Sequence, residues 1–422
     1  MTRTSSIRRA LVGILQYTAI IAVTLLLADA FCILFNLFPP MPQYGDPDLG
    51  WLRARLSTIV RVKVCEDNST GKTFSYERNE DGVRTSLSIK EILADARTKI
   101  AVTGDSQSDL CAPNQVNHPG VLERELVASG IPALVLPYPA GRYSPLQDYL
   151  AFKKYLRKYD PKILVINLYT GNDFLDMLRP DDRPHFVKAG AGYAIAKPEW
   201  YLYDDPSVKP RSRVLFALSE MGKRTGLSGF LMRVQALRSV ATEQGEGLRE
   251  VVAYMNDLRK SAEPSLGYPE AFAAQMLNQQ LFFHRFPGAK EESLKEFRAL
   301  LKLGREENPR RILVVGALPS YELVQGQPID AALLRVLSRL PVSHEEGVRQ
   351  EQELYDASRS IVEESGWVFV DNLRALREYR GTARLYNNFD YHFEPVANEI
   401  IGRQEALAIG KLMQAGPPSP AR

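Results

Sequence analysis

The 422-residue chain holds little of what most cofactor and metal sites are built from. It has three cysteines and five histidines, and none falls in a Cys/His spacing that binds a metal. It has no glycine-rich loop of the kind that cradles a phosphate or a dinucleotide, so no cofactor is expected. An excess of one charge is missing too. The 53 Lys and Arg stand against 50 Asp and Glu, a net +3, and no basic stripe is interleaved with aromatics. Nucleic acid is therefore not an expected partner. Internal repeats are absent, and the one biased tract is a Pro-rich tail after Gly416. What is present is an ordinary folded composition, 45% hydrophobic and 24% charged, long enough for two units or one large decorated domain.

The N-terminus departs from that average. From Ala10 to Ala28 no residue carries a formal charge, and Asp29 is the only charge before Phe38. A membrane-spanning helix needs about 20 mostly apolar residues, so residues 10–38 predict an anchor. Arg3, Arg8 and Arg9 precede it, whereas Pro39 to Trp51 has no Lys or Arg and carries Asp46 and Asp48. The positive-inside rule then places residues 1–9 in the cytoplasm and the bulk of the chain outside. Ala28-Asp29-Ala30 also has the look of a signal-peptide cleavage site, but the apolar run continues through Phe31 to Phe35, which favours a retained anchor. Cys32 lies inside this segment. Cys65 and Cys111 remain, either as a disulfide suited to an oxidising compartment or as two unrelated thiols.

Beyond the anchor, residues 39–95 read as a linker and a small entry segment with β-like runs at Thr58 to Val64 and Thr73 to Tyr76. Strand and helix then alternate. Strands are predicted at Ile100 to Thr103, Ala133 to Leu136, Ile163 to Tyr169, Ile312 to Leu318 and Trp367 to Val370. Helices open at Asn117-His118-Pro119 and Ser144-Pro145, and others are predicted over Ser293 to Arg305, Glu351 to Glu364 and Pro395 to Leu412. That alternation predicts an α/β core with a parallel sheet covered on both faces, built from residues 96–176 and 289–412. Residues 177–288 interrupt it with Pro/Asp-rich and aromatic sequence, then helical patterns at Leu248 to Lys260 and Ala271 to Phe283. This insertion is either a lid over the pocket or a solvated decoration. Residues 413–422 form a tail.

Lys99 to Ser108 is an apolar run ending in Gly104-Asp105-Ser106, a way to present a hydroxyl at a sheet edge. By average usage Gly-Asp-Ser has about a one-in-ten chance of occurring in a chain this long, so its company matters more. Gly141 follows the second strand, Gly171-Asn172-Asp173 the third, and Asp390-Tyr391-His392 lies near the C-terminus. A serine needs a base to take its proton, and a carboxylate near a histidine orients the ring. His118, His185, His284 and His344 sit where structural roles suit them, which leaves His392. A backbone N–H at Gly141, the Asn172 amide and the Ser106 N–H would form an oxyanion hole; the alternative is that Gly141 and Asn172 only make turns. Asp105 and Asp173 read as turn-capping carboxylates.

Those four blocks, in that order, resemble the SGNH (GDSL-type) hydrolase superfamily. The resemblance implies a flavodoxin-like three-layer sandwich, with Ser106 as nucleophile, His392 and Asp390 as base and orienting acid, and Gly141 and Asn172 as oxyanion donors. One departure stands out: the family's last block is Asp-x-x-His, and here the acid is two residues before the histidine. The resemblance, joined to the topology read above, implies a serine esterase removing O-acyl, chiefly acetyl, groups from an envelope or exported glycan on the periplasmic face of a bacterial-type inner membrane. The alternatives are an O-acyltransferase working with a membrane acyl-donor partner, and a non-catalytic glycan-binding or scaffolding relative. Phe186, Tyr193, Trp200, Tyr201 and Tyr203 in the insertion either stack on sugar or form its own small core.

Overall fold

The computed structural model describes residues 73–109, 112–178, 183–190, 192–198, 286–325, 343–387 and 392–415. It also describes shorter stretches at 44–46, 48–52, 61–66, 279–280 and 282–284 and scattered positions between 13 and 27. The chain divides into two units, Met1–Pro42 with Tyr203–Arg249, and Gln43–Leu202 with Glu250–Arg422. The α/β fold belongs to the second of these.

Two antiparallel hairpins come first, β1 (Tyr44–Asp46) with β2 (Gly50–Leu52) and β3 (Arg61–Glu66) with β4 (Thr73–Arg78). A short helix α1 (Ile89–Ala94) leads into β5 (Thr98–Gly104), α2 (His118–Ala128), β6 (Ala133–Pro139), α3 (Pro145–Ala151), β7 (Ile163–Tyr169) and α4 (Asp173–Met177). A third hairpin, β8 (His185–Ala189) with β9 (Gly192–Ala196), follows. The rest is α5 (Pro287–Glu307), β10 (Ile312–Leu318), α6 (Tyr321–Gln325), α7 (His344–Glu364), β11 (Val368–Asp371), α8 (Asn372–Glu378) and α9 (Pro395–Ala415).

Five strands make one parallel sheet in the order β11-β10-β7-β5-β6. Every residue of β6, β7 and β10 is buried, as expected for strands covered on both faces. Alternation then sorts side chains into two layers. Ile100, Val102, Ile163, Val165, Ile312 and Val314 face Leu122 and Leu126 of α2 and Ala406 and Ile409 of α9. Ala101, Leu164, Ile166, Leu313 and Val315 face Leu146 and Tyr149 of α3, Phe297 and Leu301 of α5, and Leu354 and Ile361 of α7. Helices on both faces of the sheet give the expected α/β architecture. At about 1.5–3 kcal/mol for each fully buried aliphatic side chain, these two layers supply most of the driving force for the fold.

Local chemistry sets the element ends. Asn117 caps α2 by accepting from the Gly120 N–H at 3.0 Å, with Pro119 in the first turn. Ser144 and Gln147 close a capping box on α3: Ser144 N–H donates to Gln147 Oε1 at 2.9 Å. The helix expected to run on from Ser144 changes pitch after Ala151, with a π turn over Phe152–Leu156. The wider turn keeps both Phe152 and Leu156 in the core while Lys154 reaches Asp46 and Asp48 on the solvent side.

Candidate active site

Numbered along the sheet's own strands, the spatial order is second, first, third, fourth, fifth, so the chain reverses direction between β5 and β7. In open parallel sheets ligands bind beyond the carboxyl ends of the strands at such a switch point. Ser106 follows β5, Gly141 follows β6 and Asn172 follows β7. These are three adjacent strands, with Ser106 in the middle. Three of the predicted residues therefore share one edge.

The nucleophile turn is built by Asp105. Its Oδ1 accepts the Gln107 N–H at 2.9 Å, and its carbonyl accepts the N–H groups of Ser108 and Asp109 at 3.2 and 3.1 Å. Asp105 thus has the turn-capping role read from the sequence. Gly104 lets this turn fold back, because a Cβ there would lie 2.5 Å from Ser108 Oγ. Ser106 is half-buried, and its hydroxyl makes a long 3.5 Å hydrogen bond to Asp105 Oδ2. Burial pushes the fully buried Asp105 carboxyl up to about 6, against the pull of the Gln107 N–H and of His392, while Asp176 raises it further.

His392 reaches this turn from the far end of the chain. The segment before α9 doubles back, with Tyr386 and Phe393 in an isolated bridge, Asn387 N–H donating to the His392 carbonyl at 2.9 Å and Glu394 N–H to the Leu385 carbonyl at 2.9 Å. Phe393 N–H then donates to Gln107 Oε1 at 3.2 Å. A residue next to His392 is therefore bonded to the residue next to Ser106. His392 is half-buried and feels the Asp105 carboxyl electrostatically. Ser106 bonds to Asp105 rather than to the His392 ring, and catalytic hydrogen bonds commonly tighten only once substrate is bound. Asp390 lies outside the described residues.

Asn172 stands at the N-terminus of α4 without capping it; its Nδ2 donates to Asp176 Oδ2 at 3.1 Å. The amide must point its nitrogen at that carboxylate, since the opposite flip would face two acceptors. Arg183 pairs with Asp176 through its guanidinium, and both are buried. Gly141 is buried in a turn in which Tyr143 N–H donates to the Ala140 carbonyl at 3.1 Å, so that bond does not consume the Gly141 amide. Arg142 beside it has φ 71°, a left-handed backbone uncommon outside glycine and a mark of a constrained loop. Asp148 and Asp173 are fully buried nearby, and burial first, then neighbouring carboxyls, drive their own carboxyls well above the usual range. Asp173 Oδ2 accepts the Tyr169 N–H at 2.7 Å, a structural role as read from the sequence. Among the described residues no cluster of His, Cys, Asp or Glu is arranged to hold a metal ion.

No protein-family model matches the chain, and no curated protein matches it in sequence. Solved structures match it in structural comparison. A lipase/acylhydrolase from Enterococcus faecalis is 11% identical over 77% of this chain and 99% of its own, with a TM-score of 0.36. The acetylxylan esterase Axe2 from Geobacillus stearothermophilus is 12% identical over 74% and 94%, TM-score 0.36. A GDSL-like lipase from Parabacteroides merdae is 12% identical over 74% and 95%, TM-score 0.35. Roles for residues in this chain rest on the geometry above and not on these likenesses.

Other expectations fall elsewhere. Phe186 is buried in the main core, and Tyr193 packs edge-on against it at 5.8 Å while its hydroxyl donates to Glu292 Oε1 at 2.8 Å. These two rings are structural. Trp200, Tyr201 and Tyr203 lie outside the described residues, as do Cys111, the predicted helix at Leu248 to Lys260 and most of that at Ala271 to Phe283. Among the described residues no helix is long and apolar enough to cross a membrane, and most of residues 10–38 is not among them. The sequence reading missed Gln107, Asp176 and Arg183. Asp176 had a signal, standing four residues after Asn172 on one helix face.

Proposed function

We propose that this chain is a serine esterase of SGNH type, and that it removes O-acyl groups, chiefly acetyl, from an envelope or exported glycan. The observation that carries the reading is the grouping of Ser106, Gly141 and Asn172 at the switch point, with the His392 segment bonded to the nucleophile turn through Gln107. In the first step Ser106 Oγ bonds to the acyl carbon and its proton passes to His392. The charge that develops on the carbonyl oxygen meets the Ser106 and Gly141 N–H groups and the second Asn172 N–H. Collapse breaks the bond to the sugar oxygen, which leaves with the proton from His392. Water then attacks the acyl-serine, giving its proton to His392, and the acid departs as Ser106 is reprotonated. Asp390 is the proposed orienting acid. Residues 10–38 are the proposed membrane anchor, placing the site on the extracytoplasmic side.

The test uses an aryl acetate and a serine-directed phosphonate. The native chain should hydrolyse the ester and carry the phosphonate on Ser106, and Ser106→Ala should lose both. Undiminished labelling of the Ser106→Ala chain would overturn the assignment.

A further inference from the structure

Ser108, two residues beyond the proposed nucleophile, has a histidine and an acid of its own. His118 Nε2 lies 3.1 Å from Ser108 Oγ and His118 Nδ1 3.4 Å from Glu405 Oε2, and all three side chains are fully buried. Substrate cannot reach them, so this constellation is not a second nucleophilic site. With a neutral ring, the tautomer that carries its proton on Nδ1 donates to Glu405 and leaves Nε2 to accept the Ser108 hydroxyl. Ser108 Oγ in turn accepts from Asn167 Nδ2 at 3.3 Å, and Asn167 lies in β7, the strand that leads to Asn172.

The backbone of His118 extends the same network. Its N–H donates to Asn398 Oδ1 at 3.1 Å, and Asn398 Nδ2 donates to the carbonyls of Phe393 and Glu394 at 3.2 and 3.1 Å. Phe393 N–H donates to Gln107 Oε1, and Gln107 adjoins Ser108. The path closes on itself: Ser108, His118, Asn398, Phe393, Gln107, Ser108. Ser106 precedes Gln107 in the chain and His392 precedes Phe393, so the nucleophile and the base each hang from one link of this ring. Buried bonds of this kind are costly to break singly, because each removed partner leaves another polar group unpaired.

We infer that the buried ring through Ser108, His118, Asn398 and Gln107 is a positioning device that sets the distance between Ser106 and His392, with His118 as its keystone. This rests on the esterase reading. A ring that only held the fold together would affect stability and not turnover by folded molecules. Misplacing a catalytic group by about 1 Å costs up to about 10²-fold in rate.

The experiment uses the full chain, with Ser108→Ala, His118→Gln, Asn398→Ala and the Ser108→Ala/Asn398→Ala pair. Aryl acetate hydrolysis is expressed per Ser106 site titrated to completion with phosphonate. Ser108→Ala removes only one buried hydroxyl and keeps the test available if the larger changes prevent folding. The expected result is a kcat lowered about 10- to 100-fold with KM within about threefold, a displaced pH profile of kcat/KM, and a double variant about as impaired as its worse single. Unchanged kcat per titrated site alongside a lower melting temperature overturns the positioning role. Independent, multiplying effects in the double variant overturn the ring as a unit. A native chain that neither hydrolyses nor labels overturns the esterase reading itself, and this inference with it.

Discussion

A primary amide carries two N–H groups, and Asn172 spends one of them on Asp176. On the proposed mechanism the other serves an oxyanion, held in place by an acid that Arg183 holds in turn. Removing a donor of this kind costs about 10²–10³ in turnover. Asn172→Ala should show that loss with an unchanged melting curve, and a near-normal kcat would make Asn172 only a turn residue. Several carboxyls raised by burial on folding, Asp105, Asp148, Asp173 and Glu322 among them, make stability depend on pH, and Glu296 adds to them. Glu296 of α5 is buried beside Glu292, and burial first, then that neighbour, push its carboxyl up to about 8 from the usual 4.5. Between those values the folded chain keeps a proton that the unfolded chain releases, so stability falls as pH rises through that window. Glu296→Gln should flatten this fall, raising the melting temperature at pH 8 and leaving it near native at pH 4. A variant with the native slope would show that Glu296 ionises freely.

At the scale of elements, the packing of α9 on α2 governs the site. Gly402 lets the two helices touch, since a Cβ there would lie 2.5 Å from Val121 Cβ and 2.6 Å from the His118 carbonyl oxygen. Gly402→Ala must push α9 away and draw Asn398 and Glu405 off His118. A loss of about 1–3 kcal/mol in urea melts is expected, together with lower esterase turnover. Full native stability would mean the helices have slack. The same pair of helices shows what local sequence can convey. The runs of β7 and β10 were legible to the residue because a nearly continuous apolar stretch, broken in β7 only by Asn167, is its own signal, and Asn117 and Ser144 announced α2 and α3. The β8–β9 hairpin was not, because Lys188, Gly190 and Gly192 dilute its alternation. Ser106, Gly141 and Asn172 stood out as strand-terminal residues. The His118–Glu405 bond spans 287 positions, and no window of sequence contains both partners.

At the scale of the whole molecule, the question is what covers the N-terminal segment. Its described members are helical, and Ile20, Ile21 and Leu27 are 61%, 60% and 67% exposed, with Tyr17 at 71%. At about 100° per residue these positions, with Val23 and Leu25, span about 200° of the helix circumference. A helix packed on a protein core buries one stripe and turns polar residues outward. Here the described apolar side chains are exposed over a broader arc than such a stripe, as the proposed anchor requires. On the proposed anchor, Arg3, Arg8 and Arg9 on one flank, against Asp46 and Asp48 on the other, predict the direction. A reporter fused after Arg422 should therefore be active only on the extracytoplasmic side, and the full chain should stay with membranes after a carbonate wash. Replacing the three arginines with glutamine should weaken or randomise that orientation while leaving the apolar run intact. Recovery of a soluble species beginning near Phe31 would show a cleaved leader in place of an anchor. A cytoplasmic reporter would put the proposed site on the wrong side for an exported glycan, and the substrate proposal would fall while the catalytic one stood.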